Sequence, residues 1–140
     1  MNVFATAAAA TLIACTSAAF AASGIETRQV QFKKGESGAS IRGALKGDQT
    51  IDYKLGAGAG QTMVIKFVPN NASAYFNLLP PGSQGEAIHI GSSAGNDFAG
   101  ELKATGSYTI RVYLMRNAAR RNETSQFTLD VGISGDVKTN

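Results

Sequence analysis

The sequence predicts an all-β domain, an antiparallel β-sandwich of about eight short strands. Three observations carry this. Apolar and polar residues alternate with a period of two through most of the chain after residue 22. Clusters of Gly, Asn, Asp, Pro and Ser interrupt the alternation at short intervals, as turns between strands do. No stretch in that part repeats apolar residues at helical spacing. The 140 residues suit one domain, with no internal repeat and no linker.

The first predicted strand places Val30 and Phe32 on one face and Gln29, Gln31 and Lys33 on the other. Residues 34–38 form a turn. Ser40 to Leu45 is the second strand, closed by Lys46, Gly47 and Asp48. Ile51, Tyr53 and Leu55 share a face in the third, opposite Asp52 and Lys54. After the Gly-rich turn at 56–60, Met63, Ile65 and Phe67 alternate with a face that is partly apolar too, which predicts a central strand. Ala74 to Leu79 follows and stops at Pro80-Pro81, because proline cannot donate to a ladder. Glu86 to Ile90 is short, with Ile88 and Ile90 facing inward. Gly91 to Asp97 reads as a loop, and Phe98 to Leu102 as a strand.

The last two runs are the most regular. Tyr108, Ile110, Val112 and Leu114 form one apolar row, with Thr109, Arg111, Tyr113 and Met115 on the reverse. Phe127, Leu129, Val131 and Ile133 form another. The short polar link between them predicts an antiparallel hairpin. The tail from Ser134 to Asn140 reads as frayed.

Residues 1–22 read as a secretory signal and 23–140 as the single mature domain. Met1 to Ala22 holds no charged side chain, and Ala7 to Ala14 forms a short apolar core. Ala19-Phe20-Ala21 carries small residues where signal peptidase needs them. The run is too short and too rich in alanine for a comfortable membrane span. Leu12-Ile13-Ala14-Cys15 also has the form of a lipobox, which makes Cys15 a candidate lipidation site. The two readings exclude each other: Cys15 is lipidated and anchors an outer-membrane lipoprotein, or it leaves with the signal. The domain itself has no cysteine, hence no disulfide, thiol nucleophile or thiolate metal site.

The formal charge of +3 belongs to the domain. It favours acidic partners without requiring nucleic acid. His89, the only histidine, rules out an imidazole metal cluster and leaves one candidate base for a catalytic triad. Flanked by Ile88 and Ile90, it reads as an outward strand residue. The carboxylates, such as Asp48 with Asp52 and Asp97 with Glu101, are scattered. They show neither a calcium-loop pattern nor a glycosidase pair. The glycines at 56–60 precede a strand instead of a helix, which excludes a dinucleotide loop. No enzyme, metal or cofactor is expected.

What remains is the link "RNAARRN". Arg116, Arg120 and Arg121 place the densest positive charge of the chain at one tip, with Asn117 and Asn122 as further donors. A guanidinium is permanently charged and presents a flat fork that fits a carboxylate. Ala118 and Ala119 keep the link slim enough to enter a groove. A solvated tip kept soluble by charge is the plainer reading. Phosphate or glycan binding would use the same residues.

"GSYTIRVYLMRNAARRNETSQFTLDVGI", with "IDYKLGAGAGQTMVIKF" and "YFNLLPPGS", resembles the bacterial periplasmic lysozyme inhibitors, above all those of goose-type (g-type) lysozyme. Thr105-Gly106-Ser107-Tyr108 falls one residue short of the Ser-Gly-x-x-Tyr loop of sister families, which favours the g-type target over the c-type or i-type. The resemblance implies a periplasmic β-sandwich that plugs the cleft of a peptidoglycan hydrolase. It implies Arg116 and Arg120 as the inserting residues, Tyr53 as an aromatic contact beside them, and no membrane association unless Cys15 is lipidated. The alternative is a carbohydrate-binding module resembling pre-peptidase C-terminal domains. The absence of Trp and the lack of a second domain weigh against it.

Overall fold

The computed structural model describes residues 24–138; residues 1–22, expected to be a signal, and with them Cys15, lie outside the described residues. The strands run β1 (Gly24–Gln29), β2 (Gly38–Lys46), β3 (Gln49–Ala57), β4 (Thr62–Pro69), β5 (Ala74–Leu79) and β6 (His89–Ile90). A one-turn helix α1 (Gly91–Ala94) leads to β7 (Asp97–Glu101) and β8 (Gly106–Leu114). A second, α2 (Arg116–Arg120), leads to β9 (Thr124–Ser134). Five strands form one sheet in the order β1-β3-β8-β5-β6, and four form the other, β2-β9-β4-β7. All pairings are antiparallel except that of β1 with β3.

The period-two alternation fills the space between the sheets. Ile51, Tyr53, Leu55, Phe76, Leu78, Tyr108, Ile110 and Val112 come from the first, and Met63, Ile65, Phe67, Phe127, Leu129 and Val131 from the second. Each buried aliphatic among them contributes about 1.5–3 kcal/mol relative to exposure. Phe127 joins the layers, lying 5.2 Å from the Phe67 ring and 6.3 Å from Tyr53 edge to face. The Tyr53 contact spans the gap of the aligned sandwich, while Phe67 lies on the strand next to Phe127 in the same sheet.

Several expectations fail at particular places. The first strand is β1, not the run around Val30 and Phe32. Those two pack irregularly against the core, while β1 is fully exposed and held by its ladder to β3. β8 and β9 do not form a hairpin; they belong to different sheets, and the arginine link crosses between them. That link and the one before β7 each contain a helical turn. Ile88 and Ile90 face solvent at 46 % and 45 % exposure, and His89 faces in. The imidazole stacks on Phe76 at 4.9 Å, and its Nε2–H donates to the Gly95 carbonyl at 2.7 Å. β4 is indeed internal, but Val64 and Val68 on its outer face are half exposed. The tail is tied down through Lys138. Its amide donates to the Ala59 carbonyl, and its ammonium reaches Glu101 at 3.0 Å.

Candidate functional site

Register places the ends of six strands at one pole of the sandwich: the C-terminal ends of β2, β4 and β8, and the starts of β3, β5 and β9. Three connections meet there. The Gly47 amide of the β2–β3 turn donates to the Glu123 carbonyl at 2.9 Å. Asn71, in the β4–β5 connection, donates from Nδ2 to the Glu123 carboxylate at 3.1 Å and to the Thr124 carbonyl at 3.0 Å. The Met115 amide donates to the Ser73 carbonyl at 2.8 Å. The arginine link is therefore fastened at both ends to its neighbours.

Within the link, α2 is a single turn closed by a Schellman motif. Asn122 takes the left-handed conformation (φ 56°) that follows a helix end. Its amide donates to the Ala119 carbonyl at 2.9 Å, and the Glu123 amide to the Ala118 carbonyl at 3.1 Å. Gly47 (φ 62°) lies against this cap, and a Cβ there would come within 2.6 Å of the Asn122 Oδ1. Asn122 is thus a conformational residue before it is a donor. The alanines are not a slim tip either. Ala118 is fully buried and closes the end of the core, and Ala119 packs against it. Small side chains are needed because the turn sits down on the sandwich.

This burial fixes what points outward. Arg116, Asn117 and Arg120 are exposed, and Arg116 and Arg120, four residues apart, share one helical face. Among the described residues neither meets an acid at ion-pair distance. Arg121 differs, since its Nε donates to the Glu123 carboxylate at 2.6 Å. The Asn71 amide, and then the Arg121 guanidinium, hold the Glu123 carboxyl below its ordinary pKa. The Asn117 Oδ1 accepts from the Ala118 amide at 2.9 Å. Of the residues expected at the site, Arg116 and Arg120 present free charge, while Arg121 is largely neutralised.

Tyr53 is not part of this surface. It stands inside β3 opposite Ile110, at 2 % exposure, with its ring in the core. Its hydroxyl makes no hydrogen bond among the described residues. Burial raises its pKa, and the Arg28 guanidinium only partly opposes the rise. The inward parity shared with Ile51 and Leu55 already marks it as core. Sequence reasoning also passed over Asn71, whose side chain ties two connections together; a lone Asn in a turn gives no local signal of that. Among the described residues no group of three His, Cys, Asp or Glu could hold a metal, and no helix is long and apolar enough to cross a membrane.

No family model matches the chain. An Escherichia coli K12 protein, "Inhibitor of g-type lysozyme", is 33 % identical over 120 residues, covering 84 % of this chain and 87 % of that protein. The crystal structure of Aeromonas hydrophila PliG, a periplasmic lysozyme inhibitor of g-type lysozyme, superposes with a TM-score of 0.73 at 42 % identity. It spans 79 % of this chain and 97 % of that one. The pre-peptidase C-terminal domain of a Bacillus anthracis collagenase superposes with a TM-score of 0.51 at 16 % identity, over 80 % of this chain and 96 % of that one, a likeness of fold alone. On these matches the chain belongs to the family of inhibitors of g-type lysozyme.

Proposed function

We propose that this protein is exported by residues 1–22 to the periplasm, inhibits g-type lysozyme there, and does so by setting Arg116 and Arg120 into the enzyme's catalytic cleft. The single observation behind the mechanism is a rigid turn that carries two guanidiniums without acidic partners among the described residues. A peptidoglycan hydrolase needs a catalytic carboxyl group in a cleft shaped for sugar. A guanidinium reaching that carboxyl holds it ionised, so that it no longer donates a proton, and fills the space sugar would occupy.

Rigidity matters as much as charge. The turn is sealed by Ala118, capped by Asn122 and bonded to two neighbouring connections, so docking it costs little conformational entropy. Arg116 at the start of a helical turn gains nothing from the peptide dipoles, which disfavour a cation there. Folding does not explain it, whereas recognition of an acid does.

The test is inhibition of cell-wall lysis by g-type, c-type and i-type lysozymes. Wild-type protein should block the g-type enzyme selectively. Arg116→Ala and Arg120→Ala should each weaken inhibition by about 2–5 kcal/mol, about 30-fold or more, with unchanged melting. Undiminished inhibition by both variants would overturn the mechanism, and no inhibition of a g-type enzyme would overturn the function.

A further inference from the structure

One helical turn is too small to account for a stable inhibitor complex. Specific interfaces bury on the order of 800 Å² on each partner, contributed by about 20–30 residues. α2 offers three outward side chains. The remaining contact area must lie on surface continuous with it, and the outer face of the five-stranded sheet adjoins it directly. There a shallow depression is lined by Arg116 itself together with Asp48, Gln49, Asn77, Arg111 and Tyr113.

The geometry points to this depression as the second half of the lysozyme-binding surface, seating carbonyl and carboxylate groups from the lip of the enzyme's cleft. The inference rests on the inhibitor reading above. It draws on how the side chains are held. Asp52, Arg111 and Asn77 stand directly opposite one another on β3, β8 and β5. Asp52 is buried, and it accepts from Arg111 Nε at 2.8 Å and from Nη2 at 3.0 Å. The fork locks the guanidinium and leaves Nη1 without an acceptor among the described residues.

Asn77 is fixed in the same way. Its Oδ1 accepts from the Gly91 amide at 3.3 Å and from the Tyr113 hydroxyl at 3.0 Å. The Gly91 amide can only donate, so the side-chain oxygen is assigned, and Nδ2 has no acceptor among the described residues. Tyr75 stands opposite Tyr113 on β5, their rings 6.5 Å apart, and both are half-buried. The floor therefore presents pre-oriented N–H donors beside an aromatic pair. Tyrosine and arginine held rigid before binding are the residue types that dominate interface energetics. Asp52 balances Arg111 and Asp48 shares the depression, so the floor offers directed donors more than net charge. It lies beside the guanidinium of Arg116, uncompensated among the described residues, and carbonyl and carboxylate groups of a cleft lip complement both.

The experiment pairs two measurements on the full mature protein with a g-type lysozyme. Tyr113→Ala should weaken inhibition by about tenfold or more, while Lys66→Ala on the outer face of the other sheet should change it less than twofold. Hydroxyl-radical footprinting of the wild-type complex should show Tyr75 and Tyr113 protected on binding, a readout that does not depend on a variant folding. If Arg116→Ala weakens inhibition but both tyrosines stay as reactive in the complex as in the free protein, the inference is wrong and the inhibitor reading stands. If the wild-type protein inhibits no g-type enzyme, both fall.

Discussion

The two one-turn helices do the same structural work with different residues. α1 carries the chain from β6 in the five-stranded sheet to β7 in the other, and α2 carries it from β8 to β9. Each sets one small residue against the core, Gly91 in α1 and Ala118 in α2. Each is followed by a residue at positive φ, Gly95 at 100° and Asn122 at 56°. Yet α1 reads GSSA, without a charge, and α2 reads RNAAR. Crossing between the sheets therefore requires a buried small residue and a left-handed exit, and it does not require arginine. The crossing itself does not call for the guanidiniums of α2, which is the reason to look for their role in recognition.

That contrast can be broken by mutation. Gly91→Ala brings a Cβ within 2.4 Å of the Phe76 carbonyl oxygen, against backbone that cannot step aside. It should cost about 1–3 kcal/mol of stability, seen in chemical denaturation, and lower inhibition per folded molecule only through Asn77, which the Gly91 amide holds. Ala118→Leu overpacks the matching place in α2 and should cost a similar amount. There, however, inhibition should fall much further, because the turn lifts off the core and the arginines lose their position. Equal effects of the two variants on inhibition would show that the α2 geometry does not matter.

A smaller effect sharpens the comparison through acid. Glu123 anchors the end of α2, and α1 contains no carboxylate. The folded-state pKa of Glu123 is depressed below its ordinary 4.5, so its stabilisation is complete above that value. It is lost as the pH falls through the folded pKa. Amide protection at Asn122 and Glu123, corrected for intrinsic exchange, should drop in that window. Glu123→Gln should abolish the dependence. The effect is small because the carboxylate remains partly open to solvent.

The strands were legible where the signal is local. Tyr108 to Leu114 and Phe127 to Ile133 show their inward faces in the alternation itself, because burial of one face of a strand is written with a period of two. Partnership is not local. Alternation gives the face of β8 and β9 but not the sheet each joins, so two regular runs with a short link read as a hairpin. His89 misled for a related reason. In a two-residue strand the parity rests on Ile88 and Ile90, and the stack on Phe76 outweighs it. β1 carries no apolar pattern because backbone bonds alone hold it. At the site, the arginines were legible as unusual charge. Their turn was not, since five residues are too few for a helical period and only Ala118 is buried. Tyr53 shows the limit of resemblance: the family likeness points to a surface contact, whereas its parity with Ile51 and Leu55 puts it in the core, where it lies.

The central claim concerns one contact, between an α2 guanidinium and the acid of the enzyme. A double-mutant cycle tests it directly, combining Arg116→Ala and Arg120→Ala in turn with a Glu→Gln change at the catalytic glutamate of a g-type lysozyme, and reading binding affinity. A coupling of about 1.5 kcal/mol or more for at least one arginine is the predicted result, in the range of close interfacial charge pairs. Losses that simply add, within about 0.5 kcal/mol for both arginines, would contradict it.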